Sequence, residues 1–405
     1  MRNRRQLRFQ FLMMACVSLL KFSFIFALVF FVPLLSQASI APSLHLYRQS
    51  LPPNSCSRQV RHADYSHLRE KHVREAILGI VDYFYHLRSG QDNFIQKVLI
   101  ASIAGEHTLI QVPPGAPAIR TLKSFAHATQ SSWNHIQFES QLTVNELLGW
   151  IEHESESNTK LLMGNQLAFN FVIGENIHRA SENVVQTFMD LMEEQKFSVR
   201  GHEFQMPEIF HFLALHSPEE PNSTMELTRF QQDKFMMKIL ADYPPREHQR
   251  MNLRQIRQDR LEPSPHQKNS LFKGQKVVTQ KAILAARQYA MKTQIPAPTE
   301  DYILSILEIS RQAKNFDKQL SRFIRMGAAQ KAAESLLLSS MAMAWLRGNA
   351  RVEFSDVDAV AHEVLRHRIA LSDEAISRGI SVEQVIDKIV SLAKVRDYHQ
   401  GSFPY

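Results

Sequence analysis

The stretch from His107 to Ala126 reads HTLIQVPPGAPAIRTLKSFA. Thr108 to Val112 is a short β-like run, Pro113-Pro114-Gly115 breaks it with strong turn chemistry, and Leu122, Phe125 and Ala126 then return at helical spacing. This predicts strand, loop and helix in succession. Working outward, Phe169 to Ile173 and Ile209 to Leu215 are two further apolar runs of strand length, and a helical pattern from about 181 to 195 separates them. Strands alternating with helices predict an α/β fold, a mostly parallel sheet covered on both faces.

Upstream, His72 to Leu87 and Phe94 to Ala104 carry apolar stripes of helical period, and Gly105 closes the second. Downstream, 246–275 is polar, charged and proline-containing after Tyr243-Pro244-Pro245, and is expected to be a connector. From Val277 to Leu392 the pattern is helical throughout, with Arg351 to Phe354 the one β-like run. The expected organisation is an α/β core over 66–245, the connector, and a small all-helical domain over 276–395.

The amino terminus is of a different kind. Arg2, Arg4, Arg5 and Arg8 precede an apolar run from Phe11 to Leu35, and Ser36-Gln37-Ala38 offers small residues where a signal peptidase cuts. Residues 1–38 read as a signal peptide or a membrane anchor, with 39–65 as a linker, which places the chain at the inner membrane or in the periplasm rather than the cytoplasm. Of the net charge of +7, the first 75 residues, with 11 Lys/Arg against 3 Asp/Glu, account for all. The remaining body is close to neutral, which argues against nucleic-acid binding. Cys16 lies in the leader and Cys56 in the linker, so a mature chain has no disulfide framework.

The His107–Ala126 stretch resembles the nucleotide loop of MoxR-like AAA+ ATPases, whose usual form is close to HxLLEGPPGLGKTxLxxxLA. Further motifs follow in the family's order: Gly90-Gln91, Leu142 to Gly149 as LTVNELLG, a hairpin-like Gly201 to Pro207, Asp233 to Ile239 as DKFMMKI, Leu346-Arg347-Gly348, Ser355-Asp356-Val357 with a helix start at Ser355-Asp356, and Val364 to Arg368 as VLRHR. The resemblance covers roughly 69–392 and implies a P-loop NTPase-type αβα domain followed by a helical lid. It also implies chaperone-like maturation work, other AAA+ subunits or further copies of the chain as partners, and partners with von Willebrand factor A-type domains.

The positions that handle ATP in that family are changed. Pro113, Pro114 and Gly115 match, but Val112, Pro117, Ala118 and Ile119 stand where the loop needs backbone freedom, an N–H donor, the phosphate-binding lysine and the magnesium-binding hydroxyl. Proline has no N–H, alanine no charge, and isoleucine no ligand for a hard cation. The acidic motif is Val172-Ile-Gly-Glu-Asn-Ile-His-Arg-Ala180, which puts Glu175 on the family's aspartate and Asn176 on its glutamate; counting from Gly164 instead puts Gly174 and Glu175 there. Asn176 cannot act as a base. Ser217 occupies the first sensor position, Lys234 the arginine-finger position and Lys331 the second sensor, and both lysines are expected to be solvated. The expectation is a pseudo-ATPase acting as a binding or assembly module and needing no cofactor. Its alternatives are an active ATPase with a divergent loop, using ATP and magnesium, and a structural envelope protein. His362-Glu363 with His367 falls one residue out of zincin register, so no metal site is expected, and Met341 and Met343 read as core.

Overall fold

The computed structural model describes residues 69–86, 90–153, 160–163, 165–217, 227–261 and 278–399. The leader, the linker, both cysteines and 262–275 of the connector lie outside these. No helix among the described residues is long and apolar enough to cross a membrane.

Two helices lead in, α1 (Glu70–His86) and α2 (Asp92–Ala104), and Gly105 caps the second in the left-handed region at φ +84° with its N–H on the Ala101 carbonyl. Then come β1 (Thr108–Gln111), α3 (Ala118–Ala128), β2 (Trp133–Gln137), α4 (Val144–Leu148), β3 (Trp150–His153), β4 (Lys160–Met163), β5 (Phe171–Glu175) and α5 (Glu182–Glu194). The hairpin β6 (Lys196–Val199) and β7 (His202–Gln205) precedes β8 (His211–His216), α6 (Arg229–Asp233), β9 (Met237–Leu240) and α7 (Arg246–Leu261). The last part holds α8 (Gln280–Ala290), α9 (Ala297–Arg311), α10 (Leu320–Phe323), β10 (Ile324–Met326), α11 (Gln330–Arg347), α12 (Phe354–Leu365), β11 (Ala370–Leu371), α13 (Asp373–Ser377) and α14 (Val382–His399).

Five strands form one parallel sheet in the order β2-β5-β8-β1-β9. Successive residues of a strand face opposite sides, and β1 divides accordingly: Ile110 joins the apolar cluster under α2 and α3, while Leu109 joins the one under α5. The first cluster continues through Tyr302, Trp345 and Val360, so the sheet and the helical domain share one core. Because the chain leaves β1 for the far edge and returns on its other side, the sheet's topological switch point lies at β1, where ligand crevices form beyond the carboxyl ends of strands.

Several expectations need correction. β2 and β9 are edge strands without a continuous apolar run; only Ile136 of β2 is fully buried, which removes the hydrophobic signal. The first part of the connector is the helix α7. The helical domain contains a two-stranded ribbon, β10 with β11, and Arg351 makes a single bridge to Gln294 in place of a strand. The cap of α12 is Glu353, not Ser355, and Asp356 is its reciprocal partner in a capping box. Met341 and Met343 are core.

Candidate functional site: the loop after the first strand

The loop between β1 and α3 is a turn closed on itself. Ala116 N–H donates to the Pro113 carbonyl at 3.1 Å, with Pro114 and Gly115 between them and Gly115 at φ +74°. Proline second and a positive-φ glycine third are what a type II turn requires. Tyr243 holds the turn from outside, its Oη donating to the Pro114 carbonyl at 2.5 Å. Val112 N–H donates to the His216 carbonyl at 2.9 Å, extending the β1–β8 pairing. Pro117 is the N-cap of α3 and offers no side-chain cap. Ala118 is fully buried, and Ile119 packs on the same apolar cluster.

These groups do not fit a nucleotide's phosphates and magnesium. A phosphate cradle collects free N–H donors and a cation at a helix start. Here the Ala116 N–H is spent within the turn, Pro117 has none, Ala118 is buried in the core, and Ile119 packs against that core half-buried.

Glu175 ends β5 at the same edge of the sheet. Its Oε2 lies 2.9 Å from His135 Nε2, and His135 Nδ1 lies 3.3 Å from Lys123 Nζ. Lysine only donates, so His135 accepts at Nδ1 and donates from Nε2 to the carboxylate. Lys123 also sits 5.2 Å from the Trp133 ring centroid. The carboxylate is thus anchored through β2 to α3. Asn176 follows in the left-handed region at φ +60°, and its carbonyl accepts from Arg179 N–H at 2.8 Å. One residue before Glu175, a side chain at Gly174 would lie 2.6 Å from the Phe138 ring and 2.7 Å from that of Phe212. Ser217 follows β8, its Oγ buried with no hydrogen-bond partner among the described residues. The neighbouring His216 has its pKa lowered to about 3 by burial, with the Lys238 charge and His178 adding to the effect.

The two lysines lie elsewhere. Lys234 precedes β9 and Lys331 opens α11, where its charge acts on Glu106, the residue two before β1. Both belong to the amino edge of the sheet, a strand's length, roughly 13 Å for four residues, from the loop. Nor is Lys234 solvated: its side chain is 12% exposed, pairs with Glu193 at 2.8 Å and lies 5.2 Å from the Phe230 ring centroid. Lys331 pairs with Glu334 at 3.2 Å and is more open. Sequence reasoning missed Lys123, His135 and Tyr243. Tyr243 stands beside a double proline, but nothing local marks His135 until β2 is paired with β5.

The near-zincin residues go to other uses. His362 pairs with Asp387, Glu363 with Lys97 and Arg366, and His367 Nε2 lies 3.1 Å from the Phe235 carbonyl. Among the described residues, no cluster of three or more metal-ligating side chains is present.

A parallel αβα sheet with its loop and first helix at the switch point, followed by a helical lid, is the architecture of an AAA+ protein. Residues 107–237 match the model of the ATPase family associated with various cellular activities, and 320–389 match the AAA lid domain. The chain is 25% identical over 305 residues to Chaperone MoxR1 of Mycobacterium tuberculosis, an alignment covering 74% of this chain and 77% of that one. It is 26% identical over 322 residues to Protein MoxR of Paracoccus denitrificans, covering 76% and 90%. The crystal structure of a candidate ATPase from Cytophaga hutchinsonii superposes with a TM-score of 0.72 at 25% identity, covering 80% of this chain and 95% of that one. The two matched models, these relatives and this neighbour together support a MoxR-like AAA+ ATPase.

Proposed function

We propose that this chain keeps the MoxR-like fold as a chaperone-like binding or assembly module and does not hydrolyse ATP. The observation that carries the reading is the apolar packing of the loop's ligand positions: Ala118 is buried in the hydrophobic core and Ile119, half-buried, packs against it, behind a turn whose own N–H is already used. Three further features support it. Glu175 is tied to His135, and the ring contacts at Gly174 favour the register in which Glu175 takes the aspartate position and leaves Asn176 on the glutamate. Lys234 and Lys331 each pair with a glutamate at the other end of the sheet. No cofactor is required on this reading. Partners with von Willebrand factor A-type domains, other AAA+ subunits, and an inner-membrane or periplasmic location through residues 1–38 belong to the same proposal. A periplasmic location is consistent with it, since that compartment lacks ATP.

The test is titration of the full chain with a fluorescent ATP analogue and magnesium. No saturable binding is expected up to about 1 mM, whereas a Kd in the micromolar range, some 8 kcal/mol of binding, overturns the reading. Magnesium-dependent hydrolysis lost in Glu175→Ala would establish the active-ATPase alternative instead.

A further inference from the structure

A cleft of about 190 Å³ opens between α2, α11, α12 and β9. Its strand residue, Met237, pairs with Thr108, at the opposite end of β1 from the loop after Gln111, so the cleft is separate from that site. Each helix contributes residues one turn apart: Lys97 and Ile100 from α2, Met343 and Arg347 from α11, Val360 and Glu363 from α12. The lining is of two kinds. Ile100, Met237, Met343 and Val360 are apolar and buried. Lys97, Arg347 and Glu363 are charged, and those charges are already balanced, because Lys97 pairs with Glu363 and Arg347 Nη1 donates to Oδ1 of the fully buried Asp356 at 2.6 Å.

Two of the charged groups nonetheless keep bonding capacity. The Glu363 side chain is 5% exposed; Lys97 meets it at Oε1, Arg366 lies 3.6 Å from the same oxygen, and Oε2 has no hydrogen-bond partner among the described residues. A largely buried carboxylate oxygen without a donor is costly. The Arg347 guanidinium donates only through Nη1 among the described residues, which leaves Nε and Nη2, the adjacent pair that forms a parallel fork for a carboxylate. A ligand that fits is small, since a cavity of about 150 Å³ takes benzene and this one takes fewer than about ten non-hydrogen atoms. It is neutral overall, because a net charge brought into the cleft would have no counter-ion. It also offers a donor to Glu363, an acceptor to Arg347 and an apolar body to the methionines. We propose that the cleft binds a free α-amino acid with an aliphatic side chain of about leucine's size. Its carboxylate takes the Arg347 fork, its ammonium donates to Glu363 Oε2, and its side chain lies on Met237, Met343 and their apolar neighbours.

This site does not depend on whether the loop binds nucleotide. It is tested on the full chain by isothermal titration with L-leucine, with 4-methylpentanoate, which lacks the ammonium, and with 3-methylbutylamine, which lacks the carboxylate. Leucine is expected to bind saturably with a Kd below about 1 mM, and each analogue at least about tenfold more weakly. Glu363→Gln keeps the shape and removes the charge, so it should abolish the preference for leucine over 4-methylpentanoate while leaving the preference over the amine. Ala359→Phe, on the wall of the cleft, should fill the space and prevent binding of all three, with circular dichroism unchanged. No saturable leucine binding up to about 10 mM overturns the proposal. So does 4-methylpentanoate binding as tightly as leucine in wild type, or leucine binding undiminished in Ala359→Phe.

Discussion

Glu106, two residues before β1, has its pKa raised, first by burial and also by the nearby Glu334 charge, with Lys331, Arg287 and Arg368 opposing. A carboxyl whose folded pKa exceeds its unfolded value holds its proton longer in the native state. Stability therefore falls as pH rises through that interval and stays lower at neutral pH. Gln preserves the shape and removes the charge that burial penalises. Glu106→Gln is expected to raise the urea midpoint at pH 7 and to change it little near pH 4, where the wild-type side chain is already neutral. A lower midpoint at pH 7 would show that the three cations outweigh burial.

Between elements, one guanidinium joins the lid to the core. Arg368, after α12, donates from Nε to Asp233 Oδ1 at 2.7 Å and from Nη2 to the Asp233 carbonyl at 3.0 Å, the Phe235 carbonyl at 2.8 Å and Ser335 Oγ at 3.1 Å. Its Nη1 reaches the Met236 and Val364 carbonyls at 2.9 and 2.6 Å. The group thus closes the chain between α6 and β9, where backbone carbonyls have no regular partner. Arg368→Ala strands Asp233 and these carbonyls and is expected to cost about 3–5 kcal/mol in urea unfolding. Lys, with one point of donation in place of a planar fork, recovers only part of this. A loss under about 1 kcal/mol would mean the carbonyls find other donors. The motif VLRHR was legible in the sequence; its role was not, because the partners lie more than 130 residues upstream. Legibility elsewhere followed burial. β1, β5 and β8 are central and apolar and were read from their runs, whereas β2 and β9 are edge strands and were not. α7 is made mostly of polar and charged residues, without an apolar stripe in its sequence, and so read as a connector. At the candidate site, the replacements at Val112, Pro117, Ala118 and Ile119 were visible residue by residue. The tie of Glu175 to His135 needs the register of β2 against β5, and the remoteness of Lys234 and Lys331 needs the direction of the sheet.

At the scale of the whole molecule, four histidines are folded in neutral form, and their placement ties stability to pH. His107 accepts the Phe212 N–H at Nδ1, which requires that nitrogen unprotonated, and burial lowers its pKa to about 4. His211 sits between Ser102 and Thr108. Because the Ser102 hydroxyl is donated to the Val98 carbonyl, His211 donates from Nδ1 to Ser102 Oγ and accepts at Nε2 from Thr108 Oγ1. Burial drives its pKa well below the usual range, with His107 and Arg287 adding to the effect. His367 is lowered likewise by burial first and then by Arg368, and its Nδ1 has no hydrogen-bond partner among the described residues. His216 is lowered to about 3. Unfolded histidine titrates near pH 6.5, so below that pH the unfolded chain binds protons that the folded chain refuses. Stability is therefore lost as pH falls from about 6.5 towards about 4 for His107 and about 3 for His216. Ordinary carboxylates titrate near pH 4, so above about pH 5 the histidines dominate the slope. Glu106 acts in the opposite sense, which makes Glu106→Gln the cleaner background. In that variant the urea midpoint should fall steadily from pH 7 to pH 5, with an uptake on unfolding that approaches four protons from these side chains at the lower end. Calorimetry in buffers of different ionisation enthalpy reads that uptake directly, and a value near zero at pH 5 would mean these rings are protonated in the folded chain.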